Sequence, residues 1–288
     1  MQNTRQIRQR IKTAGNISKI TKAMEMVSAS KMRRAQAQAL ASRPYTRALQ
    51  KSLATAAHAS DVSLHPFLQT HEQGTDIALL ISTDKGLCGS LNPNLFKSAL
   101  QWAHAHSSGQ FVVVGKKAVA FAKVANLPLF AQFTDLPEKL SFSDIVPITT
   151  LLMSGFSNLK IRTVTVIYMD FVSTLVQRVN TIPLLPITSI DQPEEAVLEQ
   201  IAHADYSFEP SAKDILHELM PFYVENSIFQ SFLESKASEH SARMVSMKNA
   251  SENAKDLMAE LGLEYNKSRQ ASVTGELLDI TTARLAQT

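Results

Sequence analysis

The sequence has a single cysteine, Cys88, among 288 residues, and one acidic residue in its first 51 positions. One cysteine excludes an internal disulfide and a zinc site built from several cysteines. No run of about 18 apolar residues is present, so no transmembrane helix is predicted. The histidines are scattered, and no Ser/His/Asp set or close carboxylate pair can be argued from spacing. The sequence therefore predicts no catalytic residue, no metal and no cofactor.

The scarcity of acid at the N-terminus makes the charge distribution uneven. The first 51 residues carry twelve Lys or Arg against Glu25 alone, whereas the remainder carries 17 Lys or Arg against 25 Asp or Glu. A basic arm on a mildly acidic body predicts a negatively charged partner. Nucleic acid, anionic lipid and an acidic protein surface all satisfy that requirement.

Residues 3 to 57 predict one long helix, since no Gly or Pro interrupts residues 16 to 43. Its apolar residues recur every three to four positions, which indicates a stripe on one face that must pack against a partner. The predicted stripe consists of Ile7, Ile11, Ala14, Ile17, Ile20, Met24 and Val27.

The middle of the chain, residues 76–190, alternates short apolar strands with helices. Strands are predicted at 76–82, 111–115, 129–133, 163–171 and 178–186, with helices at 92–106, 116–124 and 142–159. This alternation predicts an inserted open, mainly parallel, Rossmann-like α/β domain. Pro183 lacks an amide donor, so its strand is expected at an edge.

A second long helix is predicted over residues 210–286, and its apolar repeat is regular. Steps of four and three connect its seam residues, which indicates a coiled coil. We therefore expect the N- and C-terminal helices to pair as a long antiparallel coiled coil, with the α/β domain inserted between them. The seam is Leu233, Ala237, His240, Met244, Met247, Ser251, Ala254, Met258 and Leu261.

Residue chemistry alone leaves two alternatives open. A basic coiled coil could bind nucleic acid, although residues 1–34 contain no aromatic residue for base stacking and no DNA-binding motif. An α/β enzyme could use the loop Thr83–Gly89, which follows a strand and precedes a helix, with Lys85 in it. That loop matches neither the Walker A nor the Gly-x-Gly-x-x-Gly pattern.

Four stretches carry a resemblance to a known family: Asn16–Met32, Ser82–Asn92, Ser238–Ala250 and Tyr265–Leu277. They resemble the N-terminal helix, central loop and C-terminal helix of the gamma subunit of F-type rotary ATP synthases, in its bacterial form. The match is collinear over essentially the whole chain.

The resemblance implies a non-catalytic central-stalk rotor subunit, present once per complex, that transmits torque between the proton-driven c ring and the α/β hexamer. Its expected partners are the α, β, epsilon and c-ring subunits, with no nucleic acid and with the catalytic sites on β. The expected location is the cytoplasmic face of the bacterial inner membrane, as a peripheral protein attached through the c ring.

Site residues follow from the resemblance position by position. Met24 is expected to face a loop of the β subunit. Those expected to contact the α/β ring or to couple the helix pair are Arg243, Arg269, Gln270, Thr274 and Glu276. Those expected at the c ring or epsilon are Tyr206, Phe208 and Glu209.

Overall fold

A computed structural model describes residues 4–58, 65–187, 209 and 211–285. The chain divides into two compact units, one formed by Met1–Ala29 with Arg243–Thr288 and the other by Ser30–Ala242. Two long helices contribute to both units: α1, Thr4–His58, and α5, Ala212–Leu285. The prediction for α1 is confirmed to within one residue at each end. The predicted division at 1–57, 76–190 and 210–286 stays a prediction.

Between the long helices, the described residues form five strands and three shorter helices, and each predicted element is found within two residues of its expected bounds. They are β1 (Thr75–Ile81), α2 (Leu91–Ala105), β2 (Gln110–Val114), α3 (Lys116–Val124), β3 (Leu129–Phe133), α4 (Phe142–Ser157), β4 (Ile161–Phe171) and β5 (Gln177–Leu185). A 3₁₀ turn at Pro66–Leu68 precedes β1.

The five strands form one sheet in the order β3-β2-β1-β4-β5. All neighbouring pairs are parallel except β4 with β5, which is antiparallel. The expected edge position of the Pro183 strand is confirmed, because β5 is the last strand of the sheet and pairs with β4. Pro183 has no amide hydrogen, and at an edge this leaves no unmade hydrogen bond inside the sheet. The predicted mainly parallel α/β domain is therefore present.

Helices cover both faces of the sheet, which explains why its central strands are continuous apolar runs. Leu79 of β1 and Val112 of β2 belong to a core shared with α1, α4 and α5. Their neighbours Leu80 and Val113 point to the opposite face and pack with α2 and α3. The alternation follows directly from the two-residue period of a strand.

Within residues 30–242, α1 and α5 run antiparallel. Ser42 donates a hydrogen bond to Gln230, and the side-chain amide of Asn226 donates to Thr46 at 2.9 Å. A step of four residues forward on α1 thus matches four residues backward on α5. Every predicted seam residue of α5 is buried or half-buried, so the seam is confirmed.

Candidate subunit-contact surface

Ile7, near the start of α1, is buried as predicted, but between Ala14 and Ser28 the helix turns its larger apolar side chains outward. Ile17, Ile20 and Val27 are 47%, 60% and 54% exposed. The prediction that these three residues face the partner helix was wrong. A coiled-coil seam alternates steps of four and three, whereas the predicted stripe takes three successive steps of three after Ile11 and drifts around the helix. We call the surface formed by Ile17, Ile20 and Val27 the α1 ridge.

The true seam of this part of α1 is made of smaller side chains. Ala14, Ser18, Thr21 and Ser28 are all buried. The hydroxyl of Ser251 donates to the carbonyl oxygen of Ser18 at 3.3 Å, and the two hydroxyl oxygens lie 3.4 Å apart. Small side chains let the two backbones approach closely, and the larger apolar residues are left on the outside.

The two helices also lie close together at Gly15, about one turn from Ser18. A Cβ atom at this position would lie 3.3 Å from the sulfur of Met258, which is tighter than an ordinary van der Waals contact. Glycine therefore suits this place in the seam because it has no side chain, although it lowers helix propensity.

Positive charge surrounds the α1 ridge. Lys12 and Lys19 are exposed, and Lys22 makes an ion pair with Glu25 at 3.0 Å. Glu25 is the one acid in the first 51 residues, so its pairing leaves the surface of this segment strongly basic. An exposed apolar ridge between basic residues fits a protein surface that is itself acidic and partly apolar.

Two predicted contact residues lie close to the seam. Met24 is half-buried, between the α1 ridge and the buried face that contacts α5. Arg243 is only 8% exposed. A buried guanidinium is suited to coupling the helix pair, which was one of its two expected roles, rather than to reaching across to another subunit.

The C-terminal end of α5 carries the other predicted contact residues on its surface: Arg269, Gln270, Thr274 and Glu276 are exposed. The Thr274 hydroxyl donates to the Gln270 carbonyl oxygen at 2.9 Å, within the helix. The structure therefore places these polar side chains where a neighbouring subunit can reach them.

Sequence reasoning missed a run of exposed apolar residues on the same end of α5. Extending the pairing of Gly15 with Met258 by about 1.5 Å per residue puts Thr4 opposite about residue 269. Beyond that point α5 has no α1 partner among the described residues, and its apolar side chains are open. They are Val273, Leu277, Leu278, Ile280 and Leu285, each at least half exposed. Apolar residues past the last seam position were the available signal.

Three residues are predicted to contact the c ring or epsilon. Tyr206 and Phe208 lie outside the described residues. Glu209 is described, and its side chain is exposed.

In the loop Thr83–Gly89, which contains Lys85, and at the preceding Ser82, side chains already bind nearby backbone amides. The amide of Lys116 at the start of α3 donates to Asp84 at 3.0 Å, and that of Ala118 donates to the Ser82 hydroxyl at 2.8 Å. Amides at a helix N-terminus would be the donors for a phosphate. The α3 amides are already used to fasten the end of β1 to α3, and the first amide of α2, that of Leu91, donates to the carbonyl oxygen of Cys88 at 3.3 Å; these contacts give the loop a structural role.

The described part of the chain shows two further absences. It contains no helix long and apolar enough to cross a membrane, and no group of three or more His, Cys, Asp or Glu side chains that could hold a metal ion.

Comparison with known proteins gives consistent results. The profile of the ATP synthase family matches residues 3–286. An ATP synthase gamma chain from Akkermansia muciniphila is 40% identical, and one from Herpetosiphon aurantiacus is 41% identical. In each case the alignment covers 99% of both chains.

Solved structures show the same architecture. A chain of the central stalk and c ring of the Tetrahymena thermophila mitochondrial ATP synthase matches with a TM-score of 0.61 at 25% identity, covering 81% of this chain and 99% of that one. A rotor chain of the Euglena gracilis mitochondrial ATP synthase matches with a TM-score of 0.69 at 18% identity, covering 94% and 98%.

Proposed function

This chain belongs to the ATP synthase gamma-chain family and is a central-stalk rotor subunit, and we propose that it contacts the α/β ring through two surfaces. These are the α1 ridge and the C-terminal end of α5, residues 269–285. The observation that carries the proposal is the outward placement of Ile17, Ile20 and Val27. Exposed apolar side chains that are not needed for the fold indicate a surface reserved for a partner.

The partners follow from the family. The α and β subunits would surround the paired helices, while epsilon and the c ring would bind other residues of the chain, including Tyr206, Phe208 and Glu209. The catalytic sites would lie on β, and this chain would be held peripherally at the cytoplasmic face of the bacterial inner membrane through the c ring. Its part in the reaction is mechanical, because rotation of an asymmetric shaft would drive each β site through its nucleotide states.

The proposed contact is broad and shallow. Ile17, Ile20 and Val27 lie on an open helix surface beside the exposed Lys12 and Lys19. Such a surface has no deep recess that holds a single partner side chain, so it can leave one partner and meet the next without a large barrier. Met24, at the border of the ridge, is proposed as part of the same contact.

The test is a substitution on the ridge in the assembled complex. Ile20→Glu places a negative charge opposite the proposed acidic partner, and we expect it to reduce ATP-driven proton pumping more than ATP hydrolysis. Ile20→Leu keeps the apolar surface and serves as the matched control. Met24→Lys is expected to impair coupling more than assembly. Normal pumping per ATP in an assembled Ile20→Glu complex would remove the ridge from the contact surface.

Subunit composition tests the assembly independently. A tagged chain should be recovered from native membranes with α, β and epsilon, at one copy for three of each large subunit, as the family implies. Recovery of the chain alone would contradict this. Steeply salt-dependent DNA binding at physiological salt would instead support the nucleic-acid alternative.

A further inference from the structure

An open groove lies within residues 30–242, where α1, α4 and α5 meet. It has a volume of about 490 Å³, and nine of the described residues line it. Binding sites for small molecules ordinarily have volumes of about 300–1,000 Å³. A stable protein–protein interface instead places about 20–30 residues on each partner. The size of the groove therefore fits a small molecule better than a protein partner.

Four aromatic side chains form a connected set along the groove: Tyr45, Phe222, Phe142 and Phe229. The ring centroid of Phe222 lies 6.0 Å from those of Tyr45 and Phe142, and the Phe142 centroid lies 5.6 Å from that of Phe229. Tyr45 is 52% exposed and the three phenylalanines are half-buried, so part of each ring surface is available to an occupant. Aromatic rings attract one another at centroid distances of about 4.5–7 Å. A further aromatic ring in the groove would continue the same kind of contact.

The polar groups of the groove are uncharged. None of the nine described residues that line it is Lys, Arg, His, Asp or Glu, so its walls offer no partner for a charged ligand. The hydroxyl of Ser42 already donates to the side-chain oxygen of Gln230. Asn226 donates from Nδ2 to the hydroxyl oxygen of Thr46 at 2.9 Å, and its Oδ1 oxygen remains able to accept a hydrogen bond. A ligand with a hydroxyl or N–H group can use that acceptor.

We propose that this groove is a binding site for a neutral, planar aromatic molecule that carries one hydrogen-bond donor. The aromatic part of the molecule lies against the rings of Tyr45, Phe142 and Phe222, and the donor binds the side-chain oxygen of Asn226. A bound molecule contacts α1, α4 and α5 together, so it holds the α/β domain to both long helices. This site is separate from the surfaces proposed for the α/β ring, and its test does not depend on them.

The probe that tests the site is 2-naphthol, which is planar, is neutral at pH 7 and has one hydroxyl group. Its fluorescence, titrated with the full-length chain at pH 7, should show saturable binding at one site per chain. The compound 2-methoxynaphthalene has the same ring system without the donor. It should bind about threefold or more weakly, because the hydrogen bond to Asn226 is lost.

The decisive variant is Ala41→Phe. Ala41 is an exposed residue of α1 that lines the groove, so a phenyl ring added there occupies the groove without disturbing the core. The affinity for 2-naphthol should fall at least about tenfold, because the new ring and the ligand cannot share the space. Ala37→Phe makes the same change at an exposed position one turn earlier, outside the lining of the groove, and should leave the affinity unchanged.

Three results would overturn the proposal. One is the absence of saturable 2-naphthol binding to the unchanged chain. Another is an equal affinity in Ala41→Phe and Ala37→Phe, which would mean that the probe binds elsewhere on the surface. The third is equal binding of 2-naphthol and 2-methoxynaphthalene, which would remove the hydrogen-bond donor from the description of the ligand. Equal urea unfolding midpoints of the two variants would show that a loss of binding in Ala41→Phe does not come from a loss of fold.

Discussion

Replacing Ser251 with leucine tests whether the two helical segments 4–29 and 243–285 lie as close together as their contacts indicate. Leucine at a seam position ordinarily stabilises a coiled coil. Here the Ser251 hydroxyl lies 3.3 Å from the Ser18 carbonyl oxygen, and a Cβ on Gly15 would lie 3.3 Å from the sulfur of Met258. The space for a larger side chain is therefore missing, and we expect Ser251→Leu to destabilise the pair.

A wide seam and a filled seam predict changes of opposite sign in the free energy of unfolding, so the experiment distinguishes them. In a wider seam the added apolar groups of leucine would contribute about 1.5–3 kcal/mol. In a filled seam, overpacking costs about 1–3 kcal/mol. The Ser251 hydroxyl itself matters less, because its contacts with the carbonyl and hydroxyl oxygens of Ser18 are 3.3 and 3.4 Å long. Ser251→Ala should cost only about 0.5–1 kcal/mol.

Urea unfolding of the full-length chain, followed by the far-ultraviolet circular dichroism of its helices, measures these differences. Ser272→Leu is the matched control, since it makes the same change at an exposed position of the same helix. Its effect should stay within about 0.5 kcal/mol. An unfolding midpoint for Ser251→Leu equal to or above that of the unchanged chain would show that the seam has room, and the close-packing argument would be wrong.

Three further predictions concern other parts of the chain. Gly275→Ala should stabilise the end of α5 by about 0.5–1 kcal/mol, visible as a gain in helix content, because no atom lies within 4 Å of the added Cβ; unchanged helicity would contradict this. Arg162 lowers the pKa of the buried Asp76 carboxyl, so its stabilisation is present above the unfolded value and is lost as pH falls through the folded one. Asp76→Asn should therefore cost about 1–3 kcal/mol at pH 7 and flatten the acid limb of the stability profile, and an unaltered acid limb would refute it. Burial, with the nearby charge of His217, lowers the pKa of His65 to about 4, so its stabilisation is complete above about 6.5 and is lost as pH falls toward 4. The difference in unfolding temperature between pH 7 and pH 5 should be smaller in His65→Asn than in the unchanged chain, because asparagine does not titrate in this range. Asparagine also keeps an acceptor for the Phe67 amide, which now donates to Nδ1 of His65. An equal difference would exclude His65 as the cause.

The elements of the fold could be predicted closely because their signals are local. The apolar runs of β1 and β2, the helix α2 between them and the regular seam of α5 each give a signal within a short window of sequence. The edge position of β5 followed from Pro183 alone. The orientation of α1 could not be predicted as well, because an isoleucine carries the same apolar signal whether it faces a partner helix or another subunit.

The ion pair of Arg43 with the buried Glu234 left no local signal at all. The two residues are separated by 191 positions, and Arg43 also donates to the carbonyl oxygen of Phe171, 128 positions away. Each charged residue taken separately reads as part of a solvated helix face. Only the packing of both helices against β4 brings these groups together and removes their water.

Between Ala14 and Ser28, the two faces of α1 reverse the usual arrangement of an amphipathic helix, in which large apolar residues face inward. The serines and threonine of its seam can approach α5 closely, and they provide hydrogen bonds in place of much of the apolar burial. The isoleucines and valine of the α1 ridge contribute little to the fold, because about half of each side chain stays exposed. The isolated position of these apolar side chains on the outer face suits a rotating shaft.

A shaft must keep its own helices together while its surface meets successive partners. The internal contacts depend on close fit, which does not change during rotation, and the external contacts depend on apolar area and charge, which any similar partner surface can match. This difference between internal and external contacts explains why ridge substitutions should alter coupling while leaving the unfolding midpoint almost unchanged, whereas Ser251→Leu should lower the midpoint.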